Sequence, residues 1–405
     1  MEFLLNTDCT SGMLLRMISA NQQIAANQNR LLTIQLVRRH GMLSRRQLAR
    51  LTGLRESTLS NIVRELLQNG MFRPAGKAKS DSAGQRQVMV QMNPTRGWAI
   101  GVTLDYGHAN AIVLDAAGQR MDQFTFPIKN DLTQLPKSIE KHLNQWIIKH
   151  QRPAGDFLGI GIGVPGIVDH QQGRILLASR FNARNIPIRD LMKMQFPNTT
   201  IVIDHNTHLA ALAEVWCGVA RKLENFLYFM INSKKSAKGY AIKSYGLTAY
   251  LGGRVHRGAA FASGELDPIL RPNIKRPILE NEMAILGDPD APIPTSLKQL
   301  ALRLAKSFTP LINLLDPQAI LLSGNTPWVN KSFIHELSET CGKQMLNVPG
   351  RTLDILPVSV KQHAVSFGSA LAVIDADLCS EISLPLCSIT LDESLINDKE
   401  LIAMS

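Results

Sequence analysis

The stretch "LSRRQLARLTGLRESTLSNIVRELLQNG", residues 43–70, constrains the fold of this chain more than any other. Ser44 is a good N-cap, and Gln47, three residues on, completes a capping box. A short helix to about Leu51 follows. Thr52-Gly53-Leu54 then makes a tight turn, and Gly53 takes a left-handed conformation at little cost. A further helix starts near Ser57 and carries Leu59, Ile62, Val63, Leu66 and Leu67 on one side, stopping at Asn69-Gly70. Upstream, "NQNRLLTIQLVRRHG" spaces Leu32, Leu36 and Val37 as a helix does, and Gly41 ends it. Small Ala49 permits close approach of the two short helices. The spacing fits a helix-turn-helix, with a plain helical hairpin as the bland alternative.

Ser57, Thr58, Ser60, Asn61 and Arg64 fall on the outward face of that last helix. Short donors and acceptors with a guanidinium are the groups that read base edges in the major groove. Arg45, Arg46 and Arg50 precede them, where they meet phosphates. After Gly70, "MFRPAGKAKSDSAGQRQVMVQMNP" reads as two short strands around a polar loop, a wing. Arg86 in that loop is a candidate backbone or minor-groove contact, with a solvated hairpin arginine as its alternative. Charge agrees. Residues 21–96 hold thirteen Lys/Arg against three Asp/Glu, a net of +10 out of the chain's +11. A basic segment on a nearly neutral body suggests a polyanion-binding module joined to something else, here double-stranded DNA as partner.

The remaining sequence is apolar enough (45% hydrophobic over the chain) for a globular body. No apolar run reaches the roughly 18–20 residues that a membrane span needs, and "MEFLLNTD" lacks the features of a signal peptide. Five scattered cysteines with no C-x-x-C pair argue against a disulfide framework and fit a reducing cytoplasm. From residue 97 strands and helices alternate. Trp98–Leu104 and Asn110–Leu114 flank a turn, "LTQLPKSIEKHLNQWIIKH" is amphipathic, and "DFLGIGIGVPGIVD" is a strand running into a Gly/Pro loop. "IVIDHNTHLAALAE" is a strand entering a helix. "LKQLALRLAKSFTPLINLLDPQAILLSG" is a long helix, a break at Asp316-Pro317 and a buried strand. Such alternation means α/β layers.

In that order, "GIGIGVPGIVD", "DHNTHLAALAE", "HRGAAFASGELDP" and "NLLDPQAILLSG" resemble the ROK family (repressors, open reading frames and sugar kinases), over roughly residues 27–375. With the N-terminal module, the chain is similar to the repressor branch, which includes bacterial regulators of glucose and N-acetylglucosamine use. The resemblance implies an α/β chain: a winged helix-turn-helix followed by a two-lobed actin-like/hexokinase-like (ASKHA) ATPase-type fold with a sugar cleft. The expected segments are an N-terminal arm (1–26), the winged helix-turn-helix (27–95), the kinase-like domain (96–375) and an acidic, irregular C-terminal segment (376–405).

Departures from the kinase pattern are as informative. The family's Asp-x-Gly-Gly-Thr phosphate loop aligns with Thr103-Leu104-Asp105-Tyr106-Gly107, where an extra anion and a bulky ring oppose a triphosphate. The second glycine-rich run falls in "INSKKSAKGYAI", with Gly239 alone in place. The kinase's catalytic Asp falls on Asn206, an amide that cannot take a hydroxyl proton at neutral pH. Asp204 is offset from that position and is assigned a structural role such as capping the helix. Pro268 replaces the family's zinc-binding His and "RPNIKRPILENE" has no Cys, so no metal and no cofactor are expected. The resemblance places Asn182, His205, Asn206, Glu265 and Glu280 around a sugar. The expected function is a non-enzymatic transcriptional regulator, a repressor of carbohydrate genes. It would act as a homodimer or dimer of dimers and answer to a sugar, a sugar phosphate or a protein partner. The alternative is a sugar kinase with residual activity and an attached DNA module.

Overall fold

Ser44 opens its helix as the capping box predicts. Its hydroxyl accepts from the Gln47 N–H, and its own N–H donates to Gln47 Oε1 at 2.8 Å. The computed structural model describes residues 7–77, 88–236, 239–265, 293–324 and 328–381. Contacts divide the chain into two units, Met1–Arg96 with Asp375–Ser405, and Gly97–Ile374.

The smaller unit begins with helix α1 (Thr7–His40). It covers much of the stretch expected to be an arm, because "SANQQIAANQNR" has no apolar stripe to announce a helix yet contains nothing that breaks one. Helix α2 (Arg45–Thr52) ends at Gly53 with φ 67°, and α3 (Glu56–Gln68) follows. Leu48 and Leu51 of α2 and Leu59, Ile62, Val63 and Leu66 of α3 are buried together with Leu32, Ile34, Leu36 and Val37 of α1. An ion pair between Arg30 and Glu65 (2.8 Å) also ties α1 to α3. The wing strands are β2 (Phe72–Lys77) and β3 (Val88–Met92), and β1 (Met42–Ser44) pairs with β3 to complete a three-stranded sheet. The sequence reading contains no β1, since three residues are too short for a period to show and its partner lies far along the chain.

The larger unit repeats one plan twice. Strands β4 (Trp98–Asp105), β5 (His108–Asp115) and β6 (Arg120–Pro127) form an antiparallel meander. After helix α4 (Leu135–His150), β7 (Phe157–Val164) adds parallel to β4. Three short strands, β8 (Ile167–Asp169), β9 (Arg174–Ala178) and β10 (Ala183–Ile186), make a small side sheet. Helix α5 (Ile188–Gln195) then leads to β11 (Thr200–His205), parallel to β7. The order is β11-β7-β4-β5-β6. Beyond helix α6 (Asn206–Cys217), the second lobe uses β12 (Phe226–Ser236), β13 (Gly239–Leu251) and β14 (Arg254–His256) as its meander. Helix α7 (Thr295–Leu315), β15 (Ala319–Gly324), α8 (Lys331–Gln344) and β16 (Asp354–Pro357) complete the order β14-β13-β12-β15-β16.

Packing explains why "FLYFMI" in β12 is apolar at every position. Leu227, Phe229 and Ile231 face α7 and α8, whereas Phe226, Tyr228 and Met230 face Ala210 and Ala211 of α6 and the last helix, α9 (Ala364–Glu381). A strand covered on both sides loses its alternation. In the first lobe α4 and α5 cover one face. On the other, Gly159, Gly161 and Gly163 form a lane in which α9 lies. A Cβ on these glycines would overlap Val373, Ser369 and Val365 respectively. Two residues of strand advance about 6.6 Å and four of helix about 6 Å, so the two spacings stay in step. The alternating glycines of "GIGIG" thus serve helix packing.

The acidic segment expected from residue 376 is a correction. Helix α9 continues to Glu381, and two of its acidic residues are paired: Asp375 with Arg38 at 2.6 Å, and Asp377 with Arg96. Residues 382–405 lie outside the described residues.

Candidate functional site

On α3, Ser57, Thr58, Asn61 and Arg64 are exposed and Ser60 is half-buried. Arg64 donates to Asn61 Oδ1 at 3.0 Å, so the guanidinium and the amide share one turn of the outer face. Arg45, Arg46, Arg50 and Arg55 are exposed as well. Arg86 lies outside the described residues.

In the larger unit the polar residues gather where β11 enters α6, at the carboxyl ends of the parallel strands, a usual place for ligands in open α/β sheets. Asp204 is the hub. It is 5% exposed, and its Oδ1 accepts from the His205 N–H (2.8 Å) and from His208 Nδ1 (2.8 Å). Its Oδ2 accepts from Arg257 Nη2 at 2.5 Å. Burial opposes ionisation of Asp204, but His208 and Arg257 outweigh it and hold the carboxyl far below the usual carboxylate range. The helix cap is His205, not Asp204. The Thr207 N–H donates to His205 Nδ1 at 3.3 Å, which corrects the capping role expected of the carboxylate. Burial, helped by His208, pushes His205 down to about 3, so it is neutral at physiological pH.

The second lobe reaches into the same place. The Thr248 hydroxyl donates to Thr207 Oγ1 at 2.7 Å. The Leu247 N–H donates to the Gly264 carbonyl at 3.3 Å, which holds the following Glu265 carboxylate 3.9 Å from His205 Nε2. His170, after β8, is also lowered, by burial first and by Arg257 second. Arg189 fixes its backbone by donating to the His170 and Gln171 carbonyls at 2.7 and 2.5 Å.

Of the expected effector residues, His205 and Glu265 approach each other, and Asn206 follows His205 as the first residue of α6. Asn182 is exposed at φ 50°, and no described hydrogen bond or ion pair joins it to the cluster. Glu280 and Pro268 lie outside the described residues. His208 and Arg257 were not singled out from sequence. An Asp and a His four apart across a strand–helix junction was the available signal for the first. Nothing local points to Arg257, which is 53 residues from its partner.

The hairpin in place of the phosphate loop carries a further refinement. Tyr106 is 62% exposed, but Asp105 is no bare anion, because Arg180 Nη1 binds its Oδ1 at 2.8 Å. In the second lobe β12 and β13 stay paired as far as Ser236 and Gly239. Among the described residues no group of His, Cys, Asp and Glu could hold a metal ion, and no helix is long and apolar enough to cross a membrane.

Residues 99–266 match the model of the ROK family. The chain is 24% identical over 392 residues to the xylose repressor of Bacillus subtilis, covering 88% of this chain and 97% of that protein. It is 27% identical over 248 residues to the xylose repressor of Caldicellulosiruptor bescii, covering 61% of this chain and 59% of that one. It therefore spans less than two thirds of the second relative's length. Among solved structures, a ROK family transcriptional regulator described as a homologue of the E. coli MLC protein superposes with a TM-score of 0.68 at 19% identity, covering 88% and 99% of the two chains. Solved ROK sugar kinases share the fold as well.

Proposed function

With a ROK-family domain at residues 99–266 as premise, we propose that this chain is a sequence-specific DNA-binding repressor of carbohydrate genes, with a kinase-like domain that binds an effector and does not phosphorylate it. The observation that carries the reading is the state of the junction between β11 and α6. The position expected to hold the catalytic base is Asn206. The nearby carboxylate, Asp204, is buried, fully hydrogen-bonded and too acidic to take a hydroxyl proton. The pairing of β12 with β13 out to Ser236 and Gly239, and the Asp105–Arg180 pair, leave no glycine cradle for a nucleotide among the described residues.

Ser57, Thr58, Ser60, Asn61 and Arg64 are the base readers, and Arg45, Arg46 and Arg86 are the phosphate contacts. Two copies would place their α3 helices about 34–36 Å apart on a palindrome, in the cytoplasm where the chromosome lies. His205, Asn206 and Glu265, with Asn182 and Glu280, are the effector contacts. A sugar favouring one arrangement of the lobes would shift DNA affinity through the populations of the two states. The relatives' names, xylose repressor and N-acetylglucosamine repressor, support a sugar as input.

Genome-wide mapping of bound DNA tests the reading. A palindrome upstream of sugar genes is the expected result, with affinity that falls steeply with salt. Binding without sequence preference would overturn it. An ADP-release assay across hexoses and amino sugars should stay flat, and turnover there would make the chain a kinase. Calorimetric silence over a sugar panel would assign the input to a protein partner instead.

A further inference from the structure

The hydrogen bonds around His205 Nδ1 have fixed directions. The Thr207 N–H meets Nδ1 at 3.3 Å, and a backbone N–H can only donate. Nδ1 is therefore an acceptor and carries no proton. The Thr207 hydroxyl stands 2.8 Å from the same nitrogen, where an oxygen offering only lone pairs would be repelled, so it donates there too. The Leu247 carbonyl also faces that hydroxyl, but at 3.5 Å. The Thr207 oxygen in turn accepts from the Thr248 hydroxyl at 2.7 Å. Thr207 is pinned by β13 in a second way, because its methyl lies against Gly246, where an added Cβ would come within 2.6 Å of it. Gly246 and Thr248 are two apart and share a face of that strand. With Nδ1 bare, the proton of the neutral ring sits on Nε2. Across from Nε2, the Glu265 Oε1 is 3.9 Å away, beyond hydrogen-bonding reach, and the two side chains keep 17% and 42% of their surfaces open to solvent. A gap of that width admits one oxygen atom at about 2.8 Å from each side.

We propose that Thr207, held by Thr248, is a positioning residue that keeps His205 as an Nε2–H donor, and that His205 gives this hydrogen bond to a hydroxyl oxygen of the effector, whose own proton goes to Glu265. This rests on the effector reading above and deepens it by fixing the direction of each hydrogen bond. A hydroxyl both accepts and donates, so it suits a donor that faces a carboxylate. A carboxylate has lone pairs for this proton besides any other donor it binds. An ether or carboxylate oxygen of a ligand would satisfy His205 but has no proton for Glu265. Strand β13 sets both sides of the gap. Thr248 acts on His205 through Thr207, and Leu247 binds the carbonyl of Gly264, the residue before Glu265.

The test uses the full-length protein. Proton–nitrogen NMR spectra of isotope-labelled histidine rings report which nitrogen holds the proton, and the His205 signal is the one missing from His205→Asn. The wild-type ring should be the Nε2–H form at neutral pH. Thr207→Val should let the Nδ1–H form appear, and Thr207→Ser, which keeps the hydroxyl, should suppress it again. Calorimetry with D-xylose, D-glucose and N-acetylglucosamine, then with the monodeoxy analogues of whichever sugar binds, gives the second readout. T207V should bind the parent sugar about tenfold more weakly, and T207S about as well as the wild type. One deoxy analogue should bind wild type and T207V alike, because the hydroxyl that His205 meets is gone. A wild-type ring protonated on Nδ1, an unchanged ring in T207V, or the same fold-loss on every analogue would overturn the proposal and leave the effector reading intact. Should T207V fail to fold, T207A is judged by the same two readouts. Silence of the wild type towards all three sugars would remove the sugar effector itself, and this inference with it.

Discussion

On α3, Ser57, Thr58, Asn61 and Arg64 stand exposed, and the pairing shown among them is Arg64 with Asn61. At the junction of β11 and α6, Asp204, Thr207 and His208 are buried, and the carboxylate is bonded on both oxygens. The two regions hold charge by opposite means. On the helix, water and salt screen each charge and folding does not depend on it. In the cluster, each charge is stable only through its partners, because desolvation would otherwise expel it. A surface built the first way is free to trade water for phosphates and base edges. One built the second way is rigid and specific, and fails as a unit.

Removing the hub should have the largest effect. Asp204→Ala leaves Arg257 without its carboxylate and His208 without its orienting partner, at about 3–5 kcal/mol. All four tryptophans, Trp98, Trp146, Trp216 and Trp328, lie in the larger unit. Tryptophan fluorescence in urea therefore reports this unit alone. A midpoint unchanged in D204A would mean that the cluster is solvated and that the contrast with α3 is false.

Acid should act next, and its sign is fixed by His205. The folded form titrates near 3, against an ordinary histidine near 6.5. Between those values the unfolded chain binds a proton that the folded one refuses, so stability is full above pH ~6.5 and falls as pH drops towards 3, by at most about 1.4 kcal/mol per unit. His170, also lowered, adds in the same direction. Asp204 is depressed as well, and what it contributes is present above pH ~4 and is lost only at more acidic pH. His205→Asn keeps a side chain able to cap α6 and should flatten the slope between pH 4 and 6.5. A slope as steep as wild type would show that His205 is not the titrating group.

What could be read in advance follows from distance along the chain. The capping box of Ser44 and Gln47, the turn at Gly53 and the buried face of α3 are satisfied within a few residues, so their pattern is written locally. The break at Asp316, where φ is 46°, is local too. Long-range partners are silent. Asp375 and Asp377 look like the start of a solvated acidic tail until Arg38 and Arg96, some 300 residues away, are seen to pair with them. Arg257 belongs to Asp204 only once β13 and β14 have folded back over α6. His205, Asn206 and Glu265 were found by resemblance to a family motif. Period and spacing alone would have left them as one more strand entering one more helix.

The reading face should respond in affinity rather than in stability. Arg64→Ala is expected to cost about 1–3 kcal/mol of specific DNA binding and to relax the preference at one base pair, with folding changed by no more than about 0.5 kcal/mol. Arg45→Ala should weaken binding to all sequences and lower the salt slope by about 0.9. These are measured by titrating operator and scrambled duplexes at several salt concentrations. If R64A lost equal affinity for both duplexes, the residue would be a phosphate contact and the reading face would have to be moved.

The smallest effect probes the smaller unit by itself. Ser44→Ala removes one side of the capping box and should destabilise α2 by about 1 kcal/mol. The smaller unit has no tryptophan, so the proper measurement is hydrogen exchange. The Gln47 amide, which donates to Ser44 Oγ at 3.2 Å, should exchange about fivefold faster, and its neighbours in α2 with it. Tryptophan fluorescence in urea should not move. A fluorescence midpoint that shifted along with exchange would mean that the two units unfold as one, and the contrast between an independent reading face and a self-contained buried cluster would then hold for their chemistry but not for their stability.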